Sequence, residues 1–183
     1  MNFTATLPGP PTATNRLAFR LLKNTDSDRL ILFRLYADPE VRRFIPPSFR
    51  LGSVADLYAR FVSEPQYEEF GYGRWLVTER ATGVPLGTCG LKYMEFAIDD
   101  LGGTTPGIDL GYGFFRSTWG NGYATEACQA VMDWARQAGL PVLIARCLPE
   151  HIASIRVIEK MGFSYWRVGP DGEQLANFYR IEL

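Results

Sequence analysis

Apolar residues change their spacing several times along this chain, and the changes mark out its elements. Leu17, Phe19 and Leu21 alternate with Ala18, Arg20 and Leu22, the period of two expected of a strand. Thr25 and Asp26 then offer helix caps, and Leu30, Phe33 and Leu35 carry a helix toward Asp38 and Pro39. The run Ile45-Pro46-Pro47 interrupts regular structure. Ser53 followed by Asp56 makes a capping-box-like start, with Asp where Glu or Gln is preferred. The helix it opens carries Leu57 and Phe61 and stops near Pro65.

From Arg74 the texture turns to strands. Arg74–Glu79 and Leu86–Met94 flank a turn over residues 81–85. A loop rich in Gly, Thr and Pro over 102–107 leads into a third strand, Ile108–Phe115, which holds Gly111 and Gly113. Glycines inside a strand mark a bulge or a close approach by another group. Ala127, Val131, Trp134 and Ala138 form one stripe of a helix from about Ala124 to Ala138, stopped by Gly139 and Pro141. Val142–Cys147 is a short apolar strand, and Ala153–Met161 a helix with Gly162 as its C-terminal stop. Ser164–Val168 and Asn177–Leu183 read as two last strands around a Pro170-Asp171-Gly172 turn. Runs of consecutive strands imply antiparallel pairing, and the strand–helix–strand over 108–147 implies one parallel crossover. The expected fold is an α/β (α+β) mixed, mostly antiparallel sheet of about seven strands with helices on both faces. Trp75, Trp134 and Trp166 are expected in its core.

Composition narrows the classes. Of 183 residues, 46% are hydrophobic and 21% charged, so the chain is able to bury a core without staples. Residues 1–15 lack a cationic start and an apolar stretch, and read as a mobile tail rather than a leader, before a single domain over 16–183. No apolar run is long enough to span a bilayer. A net charge of -1 argues against a nucleic-acid partner. Cys89, Cys128 and Cys147 sit in apolar stretches and read as free buried thiols, which suits the cytoplasm. A single His leaves no protein-built metal site to expect.

The chemistry concentrates at residues 114–126. There a strand ends, Gly120-Asn121-Gly122 turns, and a helix starts at once. The first turn of a helix presents unpaired N–H groups and a partial positive charge, and glycines let a phosphate approach that backbone. A Walker loop is excluded because Tyr123-Ala124 follows Gly122 where Lys and Ser or Thr are required. A dinucleotide fingerprint fits poorly, because Thr125 fills its third small position and the next strand ends in Arg146-Cys147.

The segment from Trp119 to Ala127, following Ile108–Phe115, resembles the acetyl-CoA motif of GNAT N-acetyltransferases. A second match runs from Glu150 to Phe163. Together with Thr14-Asn15-Arg16-Leu17 and the Thr82-Gly83 turn, these are similar to the RimJ/RimL-like branch, which acetylates ribosomal-protein N-termini. The resemblance spans roughly residues 15–183. It implies a GNAT fold whose splayed strand pair binds CoA, and a transferase that moves acetyl from acetyl-CoA to a primary amine. Trp119, Gly120, Asn121, Gly122, Tyr123 and Ala124 would cradle the pyrophosphate. Tyr112, Phe114 and Phe115 would offer backbone to the pantetheine arm and an N–H to the thioester oxygen. Ser154 would lie near the CoA sulfur. His151 stands where the family commonly has Asn, and Ser117 where it often has Gln or Arg.

Direct attack needs a neutral amine, and a carboxylate reached through water serves as base. Asp109 is the first candidate and Glu95 the second, with Ser154 as proton donor. Arg156 and Lys160 are candidate phosphate contacts. Glu64, Glu68 and Glu69 lie on a loop able to attract a cationic amine. A protein N-terminus and a small amine or antibiotic both remain open as acceptors, as does a catalytically silent CoA-binding module. The expected state is a monomer or homodimer.

Overall fold

The computed structural model describes residues 9–45, 66–97 and 104–183. Over these residues the alternating segments become β1 (Leu17–Leu21), β2 (Arg74–Glu79), β3 (Pro85–Ala97), β4 (Thr104–Phe114), β5 (Val142–Cys147), β6 (Ser164–Asp171) and β7 (Gln174–Glu182). The helices are α1 (Asp26–Ala37), α2 (Pro39–Arg42), α3 (Gln66–Glu69), α4 (Tyr123–Gln137) and α5 (Ile152–Lys160). The helix expected to open at Ser53, the Pro46-Pro47 break and Gly102-Gly103 lie outside the described residues.

The strands form one sheet in the order β1-β2-β3-β4-β5-β7-β6. Every neighbouring pair is antiparallel except β4 and β5, which α4 joins as the crossover. Successive side chains of a strand point to opposite faces. Trp75 and Leu76 therefore enter different cores. Trp75 joins Cys89, Leu91, Leu110, Leu143 and Tyr179 with Val131, Met132 and Trp134 of α4 and Ile158 of α5. Leu76 joins Leu32, Leu35 and Tyr36 of α1 and Val41 of α2. Each large apolar side chain so buried contributes about 1.5–3 kcal/mol of transfer free energy.

Caps explain where the first helix starts. Thr25 is its N-cap, accepting from the Asp28 N–H at 3.3 Å. Asp28 is buried, takes Arg20 in a two-pronged bond at 2.6 and 2.7 Å, and accepts from the Lys23 N–H at 2.8 Å. The bonds from Arg20 are the main reason its carboxyl lies below the ordinary carboxylate range.

Two expectations are corrected. Strand β4 begins at Thr104, inside the stretch read as loop, with Pro106 opposite Glu95. Proline is tolerated there because β5 joins β4 only farther on, at Asp109, leaving that side free of ladder bonds. Trp166 is not core: it is 36% exposed, because β6 is the outermost strand of the sheet. Within residues 9–15, Trp134 Nε1 donates to the Gly9 carbonyl at 2.7 Å and Arg80 donates to the Thr14 carbonyl at 2.8 Å. Cys89, Cys128 and Cys147 are buried and free, as expected.

Candidate active site

The crossover leaves a wedge in the sheet. β4 and β5 pair at one position, Asp109 with Ile144. Past it, β4 keeps bonding to β3 as far as Phe114 opposite Gly87, and β5 to β7 as far as Cys147 opposite Asn177. Each strand follows its outer neighbour, so their inner edges separate.

The open end of the wedge meets the glycine turn. Gly120 and Gly122 have φ of 78° and 75°, the left-handed region that a side chain disfavours. A Cβ on Gly120 would meet nothing within 4 Å, so the turn is bare on its outer side. Its inner side is braced. Trp119 Nε1 donates to the Phe114 carbonyl at 2.9 Å, and Asn121 Nδ2 donates to the Thr118 and Trp119 carbonyls, both at 3.1 Å. The first bond of α4 runs from the Glu126 N–H to the Gly122 carbonyl at 3.1 Å, so the amides of residues 123–125 emerge from the helix end. Free amides at a helix start, with no side chain over them, are a geometry that can accept an anion. The Trp119 and Asn121 side chains shape it instead of lining it.

A strap from the chain start holds this corner. Arg16 donates through Nε to Glu126 Oε2 at 2.6 Å and through Nη1 to the Asn121 carbonyl at 3.0 Å. Its guanidinium stacks 4.7 Å from the Tyr123 ring centroid. Thr14 Oγ1 also donates to Glu126. Burial pushes the Glu126 carboxyl upward, but these bonds outweigh it and leave it below the ordinary value. Beside Gly122 a groove of about 720 Å³ runs between residues 12–16, the outer side of α4, and Lys160 and Met161 at the end of α5.

The two faces of the wedge carry different chemistry. On the α4–α5 face, Tyr112 Oη and Ser154 Oγ are 2.8 Å apart. Burial raises the Tyr112 phenol well above its ordinary pKa, so the phenol keeps its proton. Burial also pushes the neighbouring Cys147 thiol up to about 11, a poor nucleophile. On the α1 face, Tyr36 bonds Thr88 at 3.0 Å beside Gly113. Asp109, 3% exposed, accepts there from Arg74 Nη2 at 3.0 Å and Arg146 Nε at 3.3 Å.

The other expected residues lie apart. Glu95 is exposed and accepts from Tyr93 Oη at 2.9 Å. It pairs opposite Pro106, six positions along β4 from Tyr112, or about 20 Å at the rise of a strand. His151 stacks flat on Phe44, with ring centroids 3.8 Å apart and 4° between planes. Phe114 is buried, and Phe115 and Tyr123 are half-buried, leaving backbone as what they offer. Arg156 and Glu69 are exposed, while Glu64 and the Glu68 side chain lie outside the description.

Sequence reasoning missed Arg74, Arg146, Asp171, Arg16 and Phe44 as parts of this region. Arg146 had a signal: a charged residue inside the apolar strand 142–147 requires a buried partner. Among the described residues no group of His, Cys, Asp and Glu is arranged to hold a metal.

Comparison with known proteins agrees with this geometry. The model of the acetyltransferase (GNAT) domain matches residues 16–164. The chain is 33% identical over 158 residues to YkkB, an uncharacterised Bacillus subtilis (strain 168) protein, covering 83% of this chain and 84% of that one. It is 28% identical over 153 residues to an uncharacterised N-acetyltransferase, p20, of Bacillus licheniformis, covering 82% and 80%. An acetyltransferase structure from Agrobacterium tumefaciens str. C58 superposes with a TM-score of 0.74 at 24% identity, covering 99% of this chain and 98% of that one. The matched domain takes in the wedge, the glycine turn and Ser154, and the chain belongs to the GNAT acetyltransferase family, as an acyltransferase.

Proposed function

We propose that the protein acetylates a primary α-amine, a peptide N-terminus, by direct attack of the amine on acetyl-CoA. The wedge carries this reading, because it joins an amide cradle at its open end to a proton-donating pair on its side. The amides of 120–124 fit a diphosphate, since nothing fills the outer side of Gly120. The groove beside Gly122, with Lys160 at its edge, has room for the nucleotide end. When bound, acetyl-CoA supplies the acetyl group as a thioester. The inner edge of β4 at Tyr112–Phe114 then pairs with the pantetheine amides, and one N–H there polarises the thioester oxygen.

Proton traffic follows from the hydroxyl pair. Tyr112 keeps its proton, its hydroxyl donates to the Ser154 carbonyl at 3.3 Å, and the 2.8 Å contact between the two hydroxyls holds Ser154 Oγ in place to hydrogen-bond the departing thiolate. The acceptor class follows from the amine's own pKa. At pH 7.5 about a third of a typical α-amine is neutral, against about 0.1% of a lysine amine. Asp109 is engaged by two guanidiniums and Glu95 is remote, so the described residues place no free carboxylate at the wedge. An α-amine needs the least help from a base. The three free buried thiols suit a reducing compartment, the cytoplasm.

The test is release of free thiol from acetyl-CoA against a panel of peptides, lysine-bearing peptides with blocked N-termini, and small amines. Turnover confined to free N-termini supports the reading. Turnover confined to small amines overturns the acceptor, and CoA binding without release from any acceptor overturns the activity.

A further inference from the structure

The buried charges at the vertex of the wedge have a mechanical arrangement. Asp109 marks the last position where β4 and β5 are paired. Arg146 lies two residues farther along β5, where the strands have begun to part. Its Nε reaches back to Asp109 Oδ1 at 3.3 Å, its Nη1 binds Asp171 at the β6 end of the outer hairpin, and its Nη2 approaches Met94 Sδ at 3.3 Å. The second Asp109 oxygen accepts from Arg74 Nη2 of β2 at 3.0 Å. Arg74 lies flat over Gly111, where any Cβ would collide with the guanidinium. Side chains of Asp109, Arg146, Asp171 and Arg74 are 4, 12, 12 and 18% exposed, so water does little to screen the chain of charges.

From this we infer that Asp109 is a positioning residue: with Arg146 it forms a charged strut that sets how far β4 and β5 open, and it is not the base. The inference rests on the acetyl-CoA reading of the wedge. A guanidinium holds its partners in a fixed fork, so the tie fixes an angle as well as a distance. Arg146 is anchored at both ends, to the vertex and to the outer hairpin. Releasing either end lets β5 swing relative to β4. A pantetheine arm pairs with both inner edges only at one opening, so the strut acts through cofactor affinity.

Calorimetric titration with CoA, together with the pH dependence of kcat/KM, tests this. Asp109→Asn and Arg146→Met are each expected to weaken CoA binding about tenfold, within the range of residues that share one charge network. The double variant is expected to be no weaker than the worse single one, because both remove the same tie. Asp171→Asn releases only the outer anchor and is expected to weaken binding about threefold, within the coupling range of neighbouring residues. The acid limb of the Asp109→Asn profile is expected to match wild type. Unchanged CoA affinity in Asp109→Asn and Arg146→Met, with that acid limb lost, would make Asp109 the base and overturn the strut. Should Asp109→Asn not fold, unchanged CoA affinity in both Arg146→Met and Asp171→Asn overturns it equally. Wild-type protein that binds no CoA refutes the acetyl-CoA reading instead.

Discussion

Tyr112 and Ser154 meet hydroxyl to hydroxyl at 2.8 Å, one from β4 and one from the first turn of α5. The contact takes either hydroxyl as its donor, and the phenol also donates to the Ser154 carbonyl at 3.3 Å, so two contacts fix Ser154 relative to β4. Ser154→Ala is expected to lower kcat about 100-fold, the low end for a positioned proton donor. Tyr112→Phe leaves the serine in place but unoriented, with an expected loss of about tenfold in kcat, since such side-chain donors assist rather than replace one another. Steady-state kinetics with KM for acetyl-CoA held within about twofold in both checks this, because a transition-state contact lowers kcat without uniform binding loss. Equal and undiminished kcat in Ser154→Ala would remove the pair from the chemistry.

The glycine turn makes a separate prediction. At Gly122, with φ of 75°, a side chain must enter the left-handed region, and its Cβ would lie 3.7 Å from Arg16 Nη2, the guanidinium that braces the turn. Asn tolerates that conformation best among residues with a side chain, whereas Glu adds strain and a repelling charge. CoA affinity, read by calorimetry, is expected to fall more than about 100-fold in Gly122→Glu and less than about tenfold in Gly122→Asn, on the scale of a like charge at close range. Equal affinities in the two variants would place the diphosphate elsewhere.

How much of this was legible in the sequence depended on whether the determinant was local. The turn at Gly120 and Gly122 is dictated by residues adjacent in the chain, and its place before α4 was readable. The strand alternation that sends Trp75 and Leu76 into opposite cores was readable for the same reason. Trp166 was misplaced because its hydrophobicity says nothing about whether its strand lies inside the sheet or on its border. The role of Asp109 was hidden because its partners come from β2 and β5, 35 and 37 residues away. His151 was equally opaque: its stacking partner Phe44 lies across the fold, on the α2 side.

The strap makes the third prediction. Arg16 bonds both Glu126 and the Asn121 carbonyl, so it tethers the glycine turn to the start of α4. Arg16 is exposed and the pair is open to salt, so its removal is expected to cost no more than about 1 kcal/mol of stability. Its effect falls on the order of the turn. Arg16→Ala is expected to raise KM for acetyl-CoA about fivefold with kcat nearly unchanged, the pattern of lost uniform binding. Glu126→Gln, which weakens the same clasp, is expected to do the same. A fall in kcat at constant KM would contradict this assignment.

His151 offers the cleanest pH prediction, because it is the one histidine of the chain. Burial against Phe44 is the main cause that drives its imidazole down to about 4, with Arg43 acting in the same direction and Glu150 against it. Unfolded, the same imidazole titrates near its ordinary value of about 6.5. Between these values the unfolded chain binds the extra proton, so stability rises with pH across that window. The contribution is complete above about 6.5 and is lost as the pH falls toward 4. The imidazole Hε1 resonance should titrate well below pH 5 in the folded protein. His151→Phe keeps the stack and has no proton to gain. Its urea midpoint should fall less than wild type's between pH 6.5 and 4.5, while the two stay parallel above pH 7. A resonance that titrates near 6.5 would mean the imidazole is solvated and the stack with Phe44 does not persist in solution.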